Sequence, residues 1–344
     1  MAYISFQPSD YFNTKLYTGN GSTNAITGVG FQPDWVWIKR RDGTNTHNLF
    51  DAVRGATKAL ESNETLAEQT LSTALTAFDS DGFTLGSGGD VNGSSASQVS
   101  WNWKANGSGS ANTDGSTSST VSANQTAGFS IVKYTNPSSG SPFTVGHGLG
   151  AAPKMIIIKN LSSAQTWGVY HASVGFGKYL RLDDTAAEAS ANLVTATSAT
   201  TFSAYQDHHS TGNELIAYCF AEKKGFSKFG SYIGNGNADG AFIYTGFKPA
   251  FFLYKLSSAN GQNWTIHDNK RIGYNPVGHL LHPDLSNAES NQQSGSLYVS
   301  DFCSNGIKIR GTDSNINGSG NTYIYMAFAE HPLVSSNDIP ATAR

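Results

Sequence analysis

The chain has little of several things that would announce a function. Two cysteines, Cys219 and Cys303, occur in 344 residues. That excludes a disulfide scaffold and leads us to expect two buried thiols in a protein made in a reducing cytoplasm. Charged residues are 14 % of the chain, little over half of the ~25 % usual for a soluble domain. The 22 Lys and Arg are balanced by 25 Asp and Glu, and no basic stretch exceeds Lys39-Arg40-Arg41. Phosphate binding depends on clustered cations, so nucleic acid is not an expected partner. No apolar run approaches the ~18 residues of a membrane span, so no membrane insertion is expected. Met1 to Phe6 carries neither a basic nor an apolar signal region, so secretion by a signal peptide is not expected.

What is present is glycine, hydroxyl and amide side chains, and aromatics. There are 37 Gly, and aromatic residues make up 12 %. Apolar residues are well spread, enough to bury a core, which excludes wholesale disorder. The surface is therefore expected to be polar but poor in ions.

Self-comparison of the chain shows a threefold internal repeat. Three Tyr-led turns, at Tyr17, Tyr134 and Tyr232, each precede a Gly, an apolar residue, a Pro and, six residues after the Pro, a Lys. The copies run Gly30 to Lys39 through Pro33, Gly148 to Lys159 through Pro153, and Gly246 to Lys255 through Pro249. Asp51, His171 and Asp268 follow at 12, 12 and 13 residues beyond the Lys. Each copy closes with an alternating aromatic stretch ending at Trp103, Phe220 or Phe328. Four landmarks in one order at nearly constant spacing point to triplication.

Short runs of Val, Ile, Thr, Tyr, Phe and Trp bounded by Gly, Asn, Asp and Ser predict strands and turns. Asp81-Gly82 and Asn305-Gly306 are matched hairpin signals. Met155 to Ile158 is apolar on both faces, as expected of a strand between two layers. Asn63 to Ala77 and Thr185 to Leu193 read as short helices or loops. The expected fold is all-β: three tandem β-sandwich, jelly-roll-like modules with minor helical insertions. The first module is placed at 1–106, a Gly/Ser/Thr linker at 107–124, the second and third modules at 125–224 and 225–331, and a polar tail at 332–344. The short join at Lys223 to Lys228 predicts that the second and third modules pack together and fold as a soluble fragment without the first.

Thr27 to Asp34, Gly128 to Tyr134, Val145 to Gly150 and Lys228 to Tyr232 give the chain a resemblance, from about Phe12 to Glu330, to a repeated domain family of tailed, largely marine bacteriophages. Members are labelled tail-fibre or virion structural proteins without assigned activity. The resemblance implies a virion protein that contacts other virion proteins and, in a fibre, a host-surface glycan or protein. By analogy with fibres it also implies a homo-oligomer, with a trimer favoured. A capsid decoration or head-fibre protein is the alternative, and a glycan-degrading tailspike a further one.

No catalytic, cofactor or metal residues are expected. Asp79-Ser80-Asp81-Gly82 lacks the ligand series of a calcium loop and reads as a β-turn. His208-His209, and His279 with His282, lack the Cys or acid spacing of zinc sites. Asp51, His171 and Asp268 read as satisfying local backbone contacts, and Gly146 to Gly150 as a tight turn. The candidate binding surface is aromatic: Trp35, Trp37, Trp101, Trp103, Trp167 and Trp264. In alternating strands Trp35 shares a face with Trp37 and Trp101 with Trp103. The six read either as sandwich core or as an exposed platform or subunit contact.

Overall fold

Each proline-led apolar run becomes a strand because its Val, Ile, Phe and Trp side chains suit a pleated surface covered on both sides. The computed structural model describes residues 6–137, 142–205, 210–295 and 297–333. The described chain is all-β, 45 % strand, with two four-residue helices at Gly89–Asn92 and Ser314–Asn317.

The first module contains β1 (Phe12–Thr18), β2 (Asn24–Thr27), β3 (Trp35–Arg40), β4 (Asn48–Asp51), β5 (Lys58–Glu61), β6 (Gln69–Thr70), β7 (Leu75–Asp79), β8 (Gly82–Leu85) and β9 (Ser97–Trp103). They form a main sheet ordered β1-β9-β3-β4-β5-β6 and a small sheet β2-β8-β7. The second contains β10 (Ser110–Asn112), β11 (Ser119–Asn124), β12 (Phe129–Thr135), β13 (Phe143–Gly146), β14 (Met155–Asn160), β15 (Gly168–His171), β16 (Lys178–Arg181), β17 (Ala189–Ser190), β18 (Val194–Thr197), β19 (Thr201–Ala204) and β20 (Glu214–Phe220). Its sheets are β10-β11-β12-β20-β14-β15-β16-β17 and β13-β19-β18. The third contains β21 (Ser227–Ile233), β22 (Phe242–Tyr244), β23 (Phe247–Leu256), β24 (Thr265–Asp268), β25 (His279–Leu280), β26 (Ser290–Asn291), β27 (Ser300–Cys303), β28 (Gly306–Ile309) and β29 (Thr322–Pro332). Its sheets are β21-β29-β23-β24 and β22-β28-β27, and the β25-β26 pair joins β24 through an Ile266–Leu281 bridge.

In all three modules the proline-led strand lies antiparallel to the closing aromatic strand, in matched register. Trp35 faces Trp103 and Trp37 faces Trp101; Met155 faces Phe220 and Ile157 faces Tyr218; Phe251 faces Phe328 and Leu253 faces Met326. Both hairpin signals close two-residue turns, β7-β8 and β27-β28. Gly82 is obligatory at the first: its φ is +149°, and a Cβ there would lie 1.9 Å from the Ile26 carbonyl oxygen.

Alternation sends the two faces of each main sheet into different cores. Val36 and Ile38, Ile156 and Ile158, and Phe252 and Tyr254 pack toward the small sheet of their own module. The intervening residues of the same strands, Trp35 and Trp37, Met155 and Ile157, Phe251 and Leu253, enter one core shared by all three modules. The closing aromatics meet there, with Trp103 5.7 Å and Phe220 6.1 Å from Phe328 between ring centroids. Trp35 stacks on Tyr218 at 4.5 Å across the first and second modules.

Three expectations are corrected. The segment 107–124 is not a free linker: β10 and β11 extend the main sheet of the second module, β11 pairing with β12 from Ser119–Tyr134 to Asn124–Phe129. Ser and Thr keep a full set of backbone donors and acceptors, and these cover an edge that would otherwise stay unpaired. Asn63 to Ala77 and Thr185 to Leu193 contain no helix; β6 and β17 pair with β5 and β16 there. The tail proves to begin with the last residue of β29, Pro332, and beyond Leu333 it lies outside the described residues.

The shared core also reverses the expectation for the fragment. Residues 125–344 alone would leave Phe129, Tyr218, Phe251 and Phe328 without the Trp side chains that cover them. Expressed by itself, this fragment is expected to aggregate or to bind an apolar dye strongly, as read by size-exclusion chromatography and dye fluorescence. A soluble, dye-silent monomer would show that the central core is dispensable.

Candidate functional site

The chemistry-bearing residues gather at the three junctions between modules, around the shared core. The six tryptophans are there, and all are 0–1 % exposed. They are therefore not a ligand-binding surface, nor are they the filling of one sandwich: they cover the outer faces of the main sheets against neighbouring modules. Their indole N–H groups explain part of the choice of Trp. Trp167 donates to the Glu61 carbonyl of the first module at 2.9 Å, and Trp264 to the Arg181 carbonyl of the second at 2.6 Å. Trp37 donates to His47 Nδ1 at 2.9 Å.

Asp51, His171 and Asp268 end equivalent strands, facing Trp35, Met155 and Phe251. Each turns the chain by accepting backbone N–H groups, as the sequence suggested: Asp51 from Val53 and Arg54, His171 from Ser173, Asp268 from Lys270 and Arg271. What the sequence did not reveal is a second task. The Asp51 carboxylate accepts from Tyr218 Oη of the second module at 2.8 Å, and that of Asp268 from Trp101 Nε1 of the first at 3.0 Å. Tyr218, Trp101 and Met326 are equivalent positions, and Met326 has no N–H or O–H to give. Facing it stands His171, whose Nε2 donates to the neighbouring Tyr325 carbonyl at 3.1 Å. The contacts run first to second, second to third and third to first, a closed ring.

Buried arginines complete the two acidic stations. Arg54 pairs with Asp51 and donates to the Leu49 carbonyl at 3.0 Å; Arg271 pairs with Asp268 and donates to the Ile266 carbonyl at 2.7 Å. His171 has Val174 at that offset instead. The ring is repeated in the backbone: Glu68 N bonds Leu161 O, Glu188 N bonds Ser257 O and Glu289 N bonds Arg41 O, at 3.1, 2.9 and 2.7 Å. Against the upward push of burial, the bonds and charge of Arg41 and the charge of Arg271 hold the Glu289 carboxyl down to about 2.

The landmark lysines are fully buried as well. Lys159 Nζ donates to the Thr65 carbonyl of the first module at 2.8 Å and to Gln165; Lys255 Nζ reaches the Thr185 carbonyl of the second at 3.3 Å; Lys39 Nζ bonds the Arg40 and Gly43 carbonyls of its own module. Burial pushes all three ammonium groups down to about 8. These groups bind carbonyls already in place, so their chemistry here is cohesion.

The remaining motifs resolve individually. In the Asp79–Gly82 turn, the Asp81 carboxylate accepts from Gly28 N and Gly30 N at 2.9 and 2.7 Å. His147 Nδ1 accepts from Leu149 N, closing the Gly146–Gly150 turn. His279 binds Glu289 and His282 binds the Trp264 carbonyl, so the two do not converge. His208 and His209 lie outside the described residues. Among the described residues no group of three or more His, Cys, Asp or Glu side chains is placed to hold a metal ion.

Two measurements test the ring. Tyr218→Phe removes one hydroxyl donor from a buried carboxylate and is expected to cost about 1.5–3 kcal/mol. Met326→Leu at the equivalent position is expected to cost less than about 1.5 kcal/mol, and urea midpoints compare the two. For His171, burial lowers the imidazole from 6.5 to about 4, outweighing the bond to Tyr325. The unfolded chain binds its proton first, so this stability is complete above pH 6.5 and is lost progressively as pH falls toward 4, by roughly 3 kcal/mol in all. Asp183 and Asp284, raised by burial to about 6 and about 8, titrate with the opposite effect. The quantity to measure is therefore the stability difference between wild type and His171→Gln, which is expected to change with pH between 6.5 and 4 and to stay flat above 6.5.

The chain was compared with known proteins at the level of families, sequences and structures. No curated protein and no solved structure matches it. Residues 7–332, running through all three modules, match the sequence profile of a family described as a domain of unknown function, DUF7483. The three modules are thus covered by one family domain, and the chain belongs to the DUF7483 family.

Proposed function

We propose that the chain is a non-enzymatic structural protein of a bacteriophage virion, a tail-fibre or fibre-like component that contacts the host surface. The observation that carries this reading is the closed ring of junctions. Asp51, Asp268, Arg54, Arg271 and Lys159, buried groups that could serve chemistry, are engaged instead at the contacts that hold the modules together. A surface of hydroxyl and amide groups with few ions suits a particle component, and the resemblance to phage repeat domains supplies the setting.

The internal threefold bears on assembly. Trimeric fibres obtain threefold symmetry from three chains, and here one chain carries three equivalent modules. A body of this kind presents three similar faces to a threefold partner. The reading therefore places one copy on each axis, in preference to the homotrimer suggested by analogy. The same feature favours capsid decoration as the second reading, since capsid lattices offer local threefold positions.

Antibody labelling of purified virions in the electron microscope tests the proposal. Label on the tail is the expected result. Label on the capsid selects the decoration reading, and virions that lack the protein overturn both. Release of new reducing ends from host polysaccharide by the purified protein would overturn the non-enzymatic assignment.

A further inference from the structure

The three modules do not present the same surface. Among the described residues the third exposes five large apolar side chains, the first and second one each. Two of the five, Phe242 and Tyr244, share β22, the edge strand of the third module's small sheet, and are 48 % and 57 % exposed. Ile243 between them is buried in the module's own core, so alternation turns both rings to the outer face of that sheet.

The fold itself does not ask for aromatics at these positions. β2 and β13 are the matching edge strands of the other modules, with Ile26 and Val145 buried as Ile243 is. The residues flanking them are Ala25 and Thr27 in the first module and Thr144 and Gly146 in the second. Exposed rings on an edge strand invite aggregation, and the third module alone carries that liability here.

The rings offer their faces. Tyr244 stands opposite Gly306 on β28, which has no side chain to crowd it. Phe242 stands opposite Lys308, yet its ring reaches diagonally over the same glycine: a Cβ at Gly306 would lie 2.8 Å from Phe242 Cζ. An upright ring could not come so near the backbone of the next strand, so Phe242 lies along the sheet. Positions two apart on a strand are about 7 Å apart, which puts both rings within reach of one ligand. Asp301 lies beyond Lys308 on the same face; it binds Arg310 at 2.7 Å, and Lys308 binds Asp239 at 2.6 Å. The four charges cancel, and the groups that carry them are rich in donors and acceptors.

We propose that Phe242 and Tyr244 form a stacking platform for a neutral saccharide. The C–H face of a pyranose packs on an aromatic face, and its hydroxyls project sideways, toward Asp301, Lys308 and Arg310. The balanced charge gives an ionic ligand no advantage. Each ring buries at most about 150–250 Å², so the apolar part of this face falls well short of a stable protein interface of ~800 Å² a side. A sugar needs only one or two rings. The platform gives the host-contacting reading a ligand class and a position; it rests on that reading for its setting alone, because binding is measured without the particle.

The test is saturation-transfer NMR on the full chain with maltotriose, cellotriose, mannotriose, lactose and the anionic sialyllactose. At least one neutral sugar is expected to bind, with transfer from aromatic protons strongest to the C–H protons of one pyranose face. Tyr244→Thr, which installs the residue of the first module, is expected to melt like wild type and to weaken that sugar roughly fivefold or more. Should it fold poorly, Phe242→Ala, again the first module's residue, is expected to weaken the same sugar. Failure of wild type to bind any neutral sugar, tighter binding of sialyllactose than of lactose, or undiminished binding by a folded variant would each overturn the proposal. So would wild-type self-association, read by sedimentation, that Tyr244→Thr abolishes, since it would assign the rings to a second copy of this chain.

Discussion

A β-sheet that is apolar on both faces must be covered twice, and this requirement shapes the whole molecule. In each module the small three-stranded sheet covers one face of the main sheet, leaving the face of Trp35 and Trp37, Met155 and Ile157, or Phe251 and Leu253 exposed if the module stood alone. Among the described residues no further sheet of the same module is placed over it. Three such faces turned toward one another bury each other and leave none over. The hydrophobic term is non-directional, so it brings the modules together but does not set their order or rotation.

Direction comes from the ring of polar contacts. A carboxylate buried between modules is tolerable only with donors around it, and the residue types change together to meet that condition. Where the neighbour offers Tyr218 or Trp101, the station is Asp with an arginine three residues on. Where it offers Met326, an Asp would face no donor, and the station is His171, a neutral group that finds a carbonyl instead. The three stations are thus different solutions to one geometric problem. They act with the backbone bonds of Glu68, Glu188 and Glu289, which repeat the same cyclic order.

Much of the architecture was legible because it is local. The period-two pattern, the hairpin dipeptides and the constant landmark spacing determine strands, turns and the threefold repeat without reference to anything distant. The double-sided run Met155–Ile158 announced a strand between two layers, which β14 is. Alternation does not say which layer covers which face, however, so tryptophans that read as sandwich core or as platform were placed without their partners. The bonds that matter at the candidate site join residues 167 positions apart, as in Tyr218 to Asp51. One signal for them was available: a histidine breaking an aspartate repeat at 171 coincides with a methionine at 326 in an otherwise Tyr and Trp position. The linker was misjudged for another reason. Gly, Ser and Thr composition suggests flexibility, but an unpaired sheet edge offers any extended backbone a ladder to join.

The departures from threefold equivalence follow the path of the chain. Between the first and second modules the backbone itself crosses the junction, and Asp34 holds it there by accepting from Ala105 N at 2.7 Å and Gly107 N at 3.1 Å. Between the second and third it crosses again, through a turn in which Phe226 N donates to Lys223 O and Lys223 N to Ser227 Oγ. At the third junction the described chain makes no covalent crossing; β29 leaves the third module as β1 enters the first, and Ala250 stands where the first junction has Asp34 and the second Lys154. A triplicated fold closed into a ring has one more junction than it has crossings. At that third junction lies a cleft of about 160 Å³ lined by Asn269 and Thr14. The Asn269 amide and the Thr14 hydroxyl are buried there without a hydrogen-bond partner, a cost that falls at the one junction the chain does not cross.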